Sequence, residues 1–506
     1  MKEIEADIAI VGSGVCGLLS AWKPLQAGLR VAMLERGALK THAQQLTDRQ
    51  WAADVPGASH NDETAPGTPP YPWSYVYGVG GSTLHWDGAT PRFSATDFKM
   101  RSAYGVMVDW PLSLEDLLPY YRQAEQALGV AGAPDDASAS SGPGLPGARA
   151  LPPHRLSPMD RAVAPLLSPF EPLPQARPSR SLQGRPACCG SATCELCPVD
   201  ARFSPLNGLQ AVLEHPGLRL HEQMVAARLR LDPAARAIET IDAIDAHGGR
   251  VRVRAKRYVL AASGFENPAI LLRSGLERPA LGRYLFDHAH TTLTVRLRRN
   301  LRPGHGDSLS TGLSQAFREG RFRSRRSAAI ASPFNPGTSL SPLVAAGVEA
   351  RQDGERVRTD ALATWGRTLP LDVLTEDVPQ AGRRVSLAAN RDAFGLPLNS
   401  VSYPDPTRYE LDGIEQVVAQ VRRRLAPLGA REVEVSPGPR GGHLLGTCRM
   451  GGGDDAVVDA EMRHLDFENL FVAGGSAFPT YAPVHPTLTI AALSLRLGNL
   501  LAAETG

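Results

Sequence analysis

At 506 residues the chain can bury a sizeable core and divide into roughly two to four domains. Hydrophobic residues at 42% and charged residues at 21% describe a globular chain, and a net charge of +2 excludes binding driven by bulk charge, to nucleic acid or to a membrane surface. No apolar run approaches the roughly eighteen residues of a transmembrane helix. Met1 to Glu5 pass straight into the first apolar run with no signal-peptide pattern, so the expected compartment is the cytoplasm. Export to the periplasm on a partner subunit is the alternative.

The first thirty-seven residues read as strand, glycine turn, helix, strand. Ile8 to Val11 is a short apolar run suited to a buried parallel strand. Gly12 permits the tight turn, Gly14 lets backbone approach a pyrophosphate, and Gly17 lets the helix pack on the strand. Amides at the helix N-terminus then face the phosphate charge. The second strand ends in Glu35, about 20 residues beyond the glycines, where a carboxylate accepts hydrogen bonds from a ribose diol. This combination points to dinucleotide binding and does not by itself separate FAD from NAD. Pro24 falls inside the predicted helix, which implies a kinked or shortened last turn.

Residues 38–76 are polar, with a proline-rich stretch from Pro66 to Pro72, and read as a surface excursion. Gly80, Gly81, Ser82 and Thr83, followed by His85 and Trp86, form a glycine- and hydroxyl-rich segment. It suits either backbone contact with a cofactor or a tight turn beside the sheet. Apolar positions from Leu114 to Leu128 recur at helical spacing, with Gly129 as the stop. From Val130 to Pro153 the chain is Ala, Ser, Gly and Pro, read as a lid or a disordered loop.

Four of the six cysteines fall within ten residues, at Cys188, Cys189, Cys194 and Cys197. Such spacing serves an iron–sulfur cluster or a tetrahedral zinc site about equally, with a vicinal disulfide or reduced spectator thiols as the structural alternative. Residues 218–262 alternate like paired strands, and the run up to Leu260 returns to the dinucleotide sheet. Residues 283–435 carry several alternating segments and a helix ending near Leu425, which suggests a second domain on an antiparallel sheet. Arg318 to Arg326 reads as a solvated basic face. In the last seventy residues His443 and His485 each sit in glycine- or proline-rich turns, and Gly474 and Gly475 follow another short apolar run.

Four segments in this order, the opening dinucleotide unit, Gly80 to Thr83, Leu260 to Ser274 and the stretch from His443 to the end, resemble the glucose–methanol–choline (GMC) family of flavin oxidoreductases. The resemblance implies an α/β (α+β overall) fold: a Rossmann-like FAD-binding domain assembled from discontinuous segments, plus a substrate domain with a mainly antiparallel sheet. The implied segments are 1–110, 201–282 and 436–506 for the FAD domain, 111–200 for the helix, lid and cysteine segment, and 283–435 for the substrate domain. It implies FAD, with Gly12, Gly14, Gly17 and Glu35 on its ADP half, Gly80, Gly81 and Ser82 along the flavin, and Gly474 and Gly475 at the pyrophosphate. It makes His443 the catalytic base and His485 its second member.

Gly80 to Pro91 is similar to the pyranose oxidases, which makes His85 a candidate covalent flavin ligand, beside a noncovalent site. The cysteine stretch is similar to the catalytic subunits of bacterial FAD-dependent sugar dehydrogenases. There three cysteines hold a 3Fe–4S cluster that serves a cytochrome subunit, so an iron–sulfur cluster (3Fe–4S or 4Fe–4S), a small subunit and a cytochrome-type acceptor are implied. The expected activity is oxidation of a sugar or glycoside hydroxyl, with an oxidase using oxygen or quinone as the alternative. A non-catalytic flavin-fold subunit or a zinc-stabilised scaffold is the reading from another class.

Overall fold

The computed structural model describes residues 2–51, 62–64, 75–133, 151–191, 196–232, 234, 236–304, 306–307, 309–335, 340–437 and 442–505. The proline-rich stretch from Pro66 to Pro72, most of the expected lid and Cys194 lie outside them.

Five parallel strands form the sheet that organises the molecule, in the order Leu470–Val472, Arg257–Leu260, Ile8–Val11, Val31–Leu34 and Leu218–His221. Three separate stretches of the chain thus supply one sheet. Every residue of Ile8–Val11 and Val31–Leu34 is buried, as befits interior parallel strands covered on both faces. The helix Val15–Gln26 runs through Pro24 to Gln26. It packs against the C-terminal helix Thr487–Thr505, where a Cβ on Gly498 would stand 3.0 Å from the Ser20 carbonyl oxygen. The helix Leu114–Leu128, capped at Ser113 and stopped by Gly129, joins that layer through a 2.8 Å hydrogen bond between Tyr121 Oη and Thr489 Oγ1. A four-stranded sheet, Lys2–Glu5, Arg250–Arg254, Ala237–Ile244 and Val225–Asp232, flanks it.

The second large sheet has six antiparallel strands in the order Glu432–Pro437, Ala289–Arg296, Thr368–Thr375, Ala329–Pro333, Gly312–Ser314 and Phe170–Pro172. Ala289–Arg296 alternates buried and half-buried positions, so its apolar residues pack inward while every second residue faces the other way. The amphipathic helix Arg408–Leu425 closes the apolar side with Val417, Val421 and Leu425.

The arginine-rich piece corrects the sequence reading. Arg321 and Arg325 are exposed, but Arg318 and Arg323 are among the most buried side chains in the molecule. Arg323 Nη2 donates to Asp97 Oδ1 and Glu376 Oε2, both at 2.8 Å, and Arg318 Nη2 donates to Asp97 Oδ2 at 2.9 Å. Burying a guanidinium requires carboxylates at contact distance. These come from residues far away in sequence, so a local count of charge sees only a basic run. Among the described residues no helix is long and apolar enough to cross a membrane.

Candidate active site

One cavity of ≈ 490 Å³ is lined both by the glycine segments of the parallel sheet and by a cluster of histidines on the antiparallel one. On the glycine side, Gly12 has φ +100°, and a Cβ there would lie 2.4 Å from the Ala261 carbonyl oxygen. A Cβ on Gly17 would fall 2.0 Å from the Gly12 carbonyl oxygen, so the helix sits against the turn as the spacing predicts. Gly80 N donates to the Ser13 carbonyl at 3.2 Å, which lays the 80–83 segment directly on the first glycine turn. Gly14, Gly80, Gly81, Ser82 and His85 line the cavity.

Glu35 is buried at the end of its strand. Its Oε2 accepts from Ser13 N at 3.0 Å and Ser13 Oγ at 2.6 Å, and Oε1 accepts from Gly37 N at 2.8 Å. Burial pushes its carboxyl above the usual range and these bonds oppose the shift. Gly474 and Gly475 close the cradle from the C-terminal segment, Gly474 at φ +87°.

This side fits a dinucleotide on its own geometry. A helix N-terminus whose Gly14 cap offers no side-chain acceptor leaves amide donors for a pyrophosphate. Two abutting glycine segments keep Cβ atoms away from the groove, and Glu35 lines the same cavity.

The histidine side holds more than the two expected residues. His443 and His485 lie with ring centres 5.8 Å apart and planes at 89°. His288 sits beside them, its ring 4.6 Å from that of His443, and its Nε2 shares a hydrogen bond with the Tyr481 hydroxyl. His290 Nε2 is hydrogen-bonded to Asp372 Oδ1. Asp287 Oδ1 accepts from the His443 backbone N–H at 3.2 Å and lies 3.9 Å from His443 Nδ1. Burial, then the charges of His485 and His290, hold His443 well below the ordinary 6.5. Burial likewise lowers His485 to about 4, and its Nδ1 is buried with no hydrogen-bond partner among the described residues.

Asp287, His288, His290, Asp372 and Tyr481 escaped the sequence reading. The signal for two of them was partly present: His288 and His290 stand two apart in the sequence, His290 on the strand Ala289–Arg296 and His288 just before it. Asp372 and Tyr481 carried no such pattern, since only strand pairing and chain return bring them here.

The cysteines give a different picture. Cys188 and Cys197 are half-buried and Cys189 is exposed; burial pushes the Cys188 thiol up, and Cys197 Sγ accepts from Ala201 N at 3.3 Å. Among the described residues no group of three or more His, Cys, Asp or Glu side chains is placed to hold a metal ion.

Two sequence-family models, both described as GMC oxidoreductase, match residues 173–290 and 379–494. The 6'''-hydroxyparomomycin C oxidase of Streptomyces lividus is 31% identical, over 98% of this chain and 91% of that protein. The fructose dehydrogenase large subunit of Gluconobacter japonicus is 29% identical, over 99% of this chain and 98% of its own length. Among solved structures, pyridoxine 4-oxidase from Mesorbium loti superposes with a TM-score of 0.67 at 19% identity, covering 98% of both chains.

Proposed function

The chain belongs to the GMC oxidoreductase family, an FAD-dependent class of enzyme, and from that premise we propose that it oxidises a hydroxyl of a sugar or glycoside with His443 as base. The observation that carries this reading is the His443–His485 pair, 5.8 Å apart, on the wall of the same cavity as the glycine cradle. The two relatives named for a ketose dehydrogenase and an aminoglycoside oxidase support a polyhydroxylated substrate.

Gly12, Gly14, Glu35, Gly80, Gly81, Ser82, Gly474 and Gly475 would hold FAD, which when bound would supply the hydride acceptor. The rest of the chemistry is a proton transfer. His443 is neutral at pH 7 because burial disfavours its cation. The Asp287 carboxylate beside Nδ1 favours a proton on that nitrogen and leaves Nε2 to accept the substrate's hydroxyl proton. As charge develops on the imidazole, Asp287 stabilises it in the manner of a triad acid. His485 holds the reacting oxygen from the other side of the site. His85 remains the candidate for a covalent bond to the flavin, decided by whether the yellow colour stays with acid-precipitated protein.

The test is anaerobic bleaching of the bound flavin by hexoses and their methyl glycosides. His443→Ala should slow reduction by about 10²–10⁴-fold with flavin content retained, the usual contribution of a positioned base. Reduction at the wild-type rate would overturn the assignment.

Likeness to a large subunit of a dehydrogenase supports a second subunit, and the close spacing of Cys188, Cys189, Cys194 and Cys197 in the sequence is what an iron–sulfur electron route to it would use. Three or four irons per flavin in protein purified without oxygen would bear this out. Flavin without iron would favour the oxidase reading, to be followed by oxygen consumption.

A further inference from the structure

Beside the main cavity lies a small annexe of ≈ 20 Å³, whose walls include Asp87, Ser332, Phe334, Asp372 and His485. Asp87, Asp372 and His485 line both spaces, so the annexe opens where the reacting hydroxyl would lie. Its size is that of one water-sized group, since about 10–15 Å³ of such volume accommodates a single water. A hydroxyl fits; a sugar ring does not.

Leu173, Leu309 and Phe334 make much of its wall apolar, and the sheet supplies the polar part. Asp372 lies on the central strand Thr368–Thr375, directly opposite Ser332 on one neighbour and Thr292 on the other, with His290 one diagonal step away. Residues in such register share a face of the sheet. His290 Nε2 holds one Asp372 oxygen and thereby fixes the carboxylate, which keeps 12% side-chain exposure. Ser332 is 6% exposed, and its Oγ is buried with no hydrogen-bond partner among the described residues. A buried hydroxyl without a partner costs folding free energy and is explained when something else satisfies it.

We infer that Asp372 and Ser332 form a hydroxyl-reading subsite, which takes a second hydroxyl of a polyol while the reacting hydroxyl lies between His443 and His485. The inference rests on the functional reading above and deepens it. Asp372 accepts the hydrogen bond of that second hydroxyl, and Ser332 Oγ completes the contact. His290 is a positioning residue that holds the acceptor in place. A simple alcohol with one hydroxyl leaves the annexe unfilled and Ser332 Oγ unsatisfied, and so loses transition-state binding in the way a site built around a hydroxyl rejects its deoxy analogue.

The experiment is a cycle between enzyme and substrate, with the holoenzyme and D-glucose, D-galactose, their methyl glycosides and their monodeoxy forms as probes. At one hydroxyl position, deletion from the substrate should lower wild-type kcat/KM by about tenfold or more, as a hydrogen bond to a buried charged group warrants. In Asp372→Asn and in Ser332→Ala the same deletion should cost less than about threefold, because the partner is already gone. Ser332→Ala removes one oxygen and keeps the fold testable if Asp372→Asn does not accumulate. If flavin is reduced, and His443→Ala stops it, while both variants keep every deoxy penalty of the wild type, the subsite is refuted and the functional reading stands. If no probe reduces the flavin, both fall.

Discussion

Gly14→Ala and Gly17→Ala differ by one methyl from the same chain, yet the structure predicts opposite failures. At Gly17 the added Cβ meets the Gly12 carbonyl oxygen at 2.0 Å and the Ile10 side chain at 3.4 Å. The offending atom is backbone in a tight turn, so helix and strand must separate by about 1 Å or more to restore contact distance. Overpacking of this kind costs about 1–3 kcal/mol, and a rigid neighbour puts Gly17→Ala at the upper end. At Gly14 the Cβ meets only Gly81 Cα, at 3.9 Å, and the backbone lies at φ −67°, which alanine adopts freely. That methyl projects into the cavity instead. Gly14→Ala should therefore keep the stability of the flavin-free protein within about 0.5 kcal/mol and weaken FAD binding by about tenfold or more, equivalent to about 1.4 kcal/mol. Flavin-free protein would be compared by urea unfolding followed by circular dichroism, and FAD affinity by flavin fluorescence quenching. Wild-type FAD affinity in Gly14→Ala, or a wild-type unfolding midpoint in Gly17→Ala, would refute the assignment of one glycine to the ligand and the other to packing.

Arg323→Met removes a buried cation and leaves Glu376 with the Tyr409 hydroxyl and the Ala328 N–H as its remaining partners at 2.7 and 2.9 Å. It should destabilise by about 3–5 kcal/mol, whereas exposed Arg321→Met should stay within about 0.5 kcal/mol; denaturant midpoints separate the two. Burial holds His443 well below 6.5 and puts His485 and His464 at about 4. An unfolded histidine binds its proton near 6.5, so between about 6.5 and 4 the unfolded chain binds more protons and these groups make stability fall as pH falls. Above 6.5 they contribute no slope, and midpoints measured from pH 8 to pH 5 check this. For the same reason the rate of flavin reduction by substrate should stay level from pH 8 to pH 7, above the range where Asp372, raised to about 6 by burial, takes up its proton. An acid limb centred at 6.5 would show that the base is solvated.

Sequence alone determined what depends on neighbouring residues. The turn at Gly12, the close packing at Gly17, the acid at Glu35 and the stop at Gly129 are each demanded by local backbone geometry or by a fixed offset along one strand–helix unit, so the letters carry them directly. The mainly antiparallel second sheet was legible too, because period-two alternation is a property of each strand by itself.

Tertiary structure decided what depends on pairing. Asp372 meets His290 only because Ala289–Arg296 pairs with Thr368–Thr375 in one register, and a slip of one residue would turn Asp372 to the opposite face. Arg318 and Arg323 are core residues rather than a basic surface only because Asp97 and Glu376 arrive from two other parts of the chain. Long-range hydrogen-bond register and charge pairing leave no trace in the spacing of adjacent residues. That is why the glycine turns lining the cavity could be read from the sequence, while most of the polar wall facing them could not.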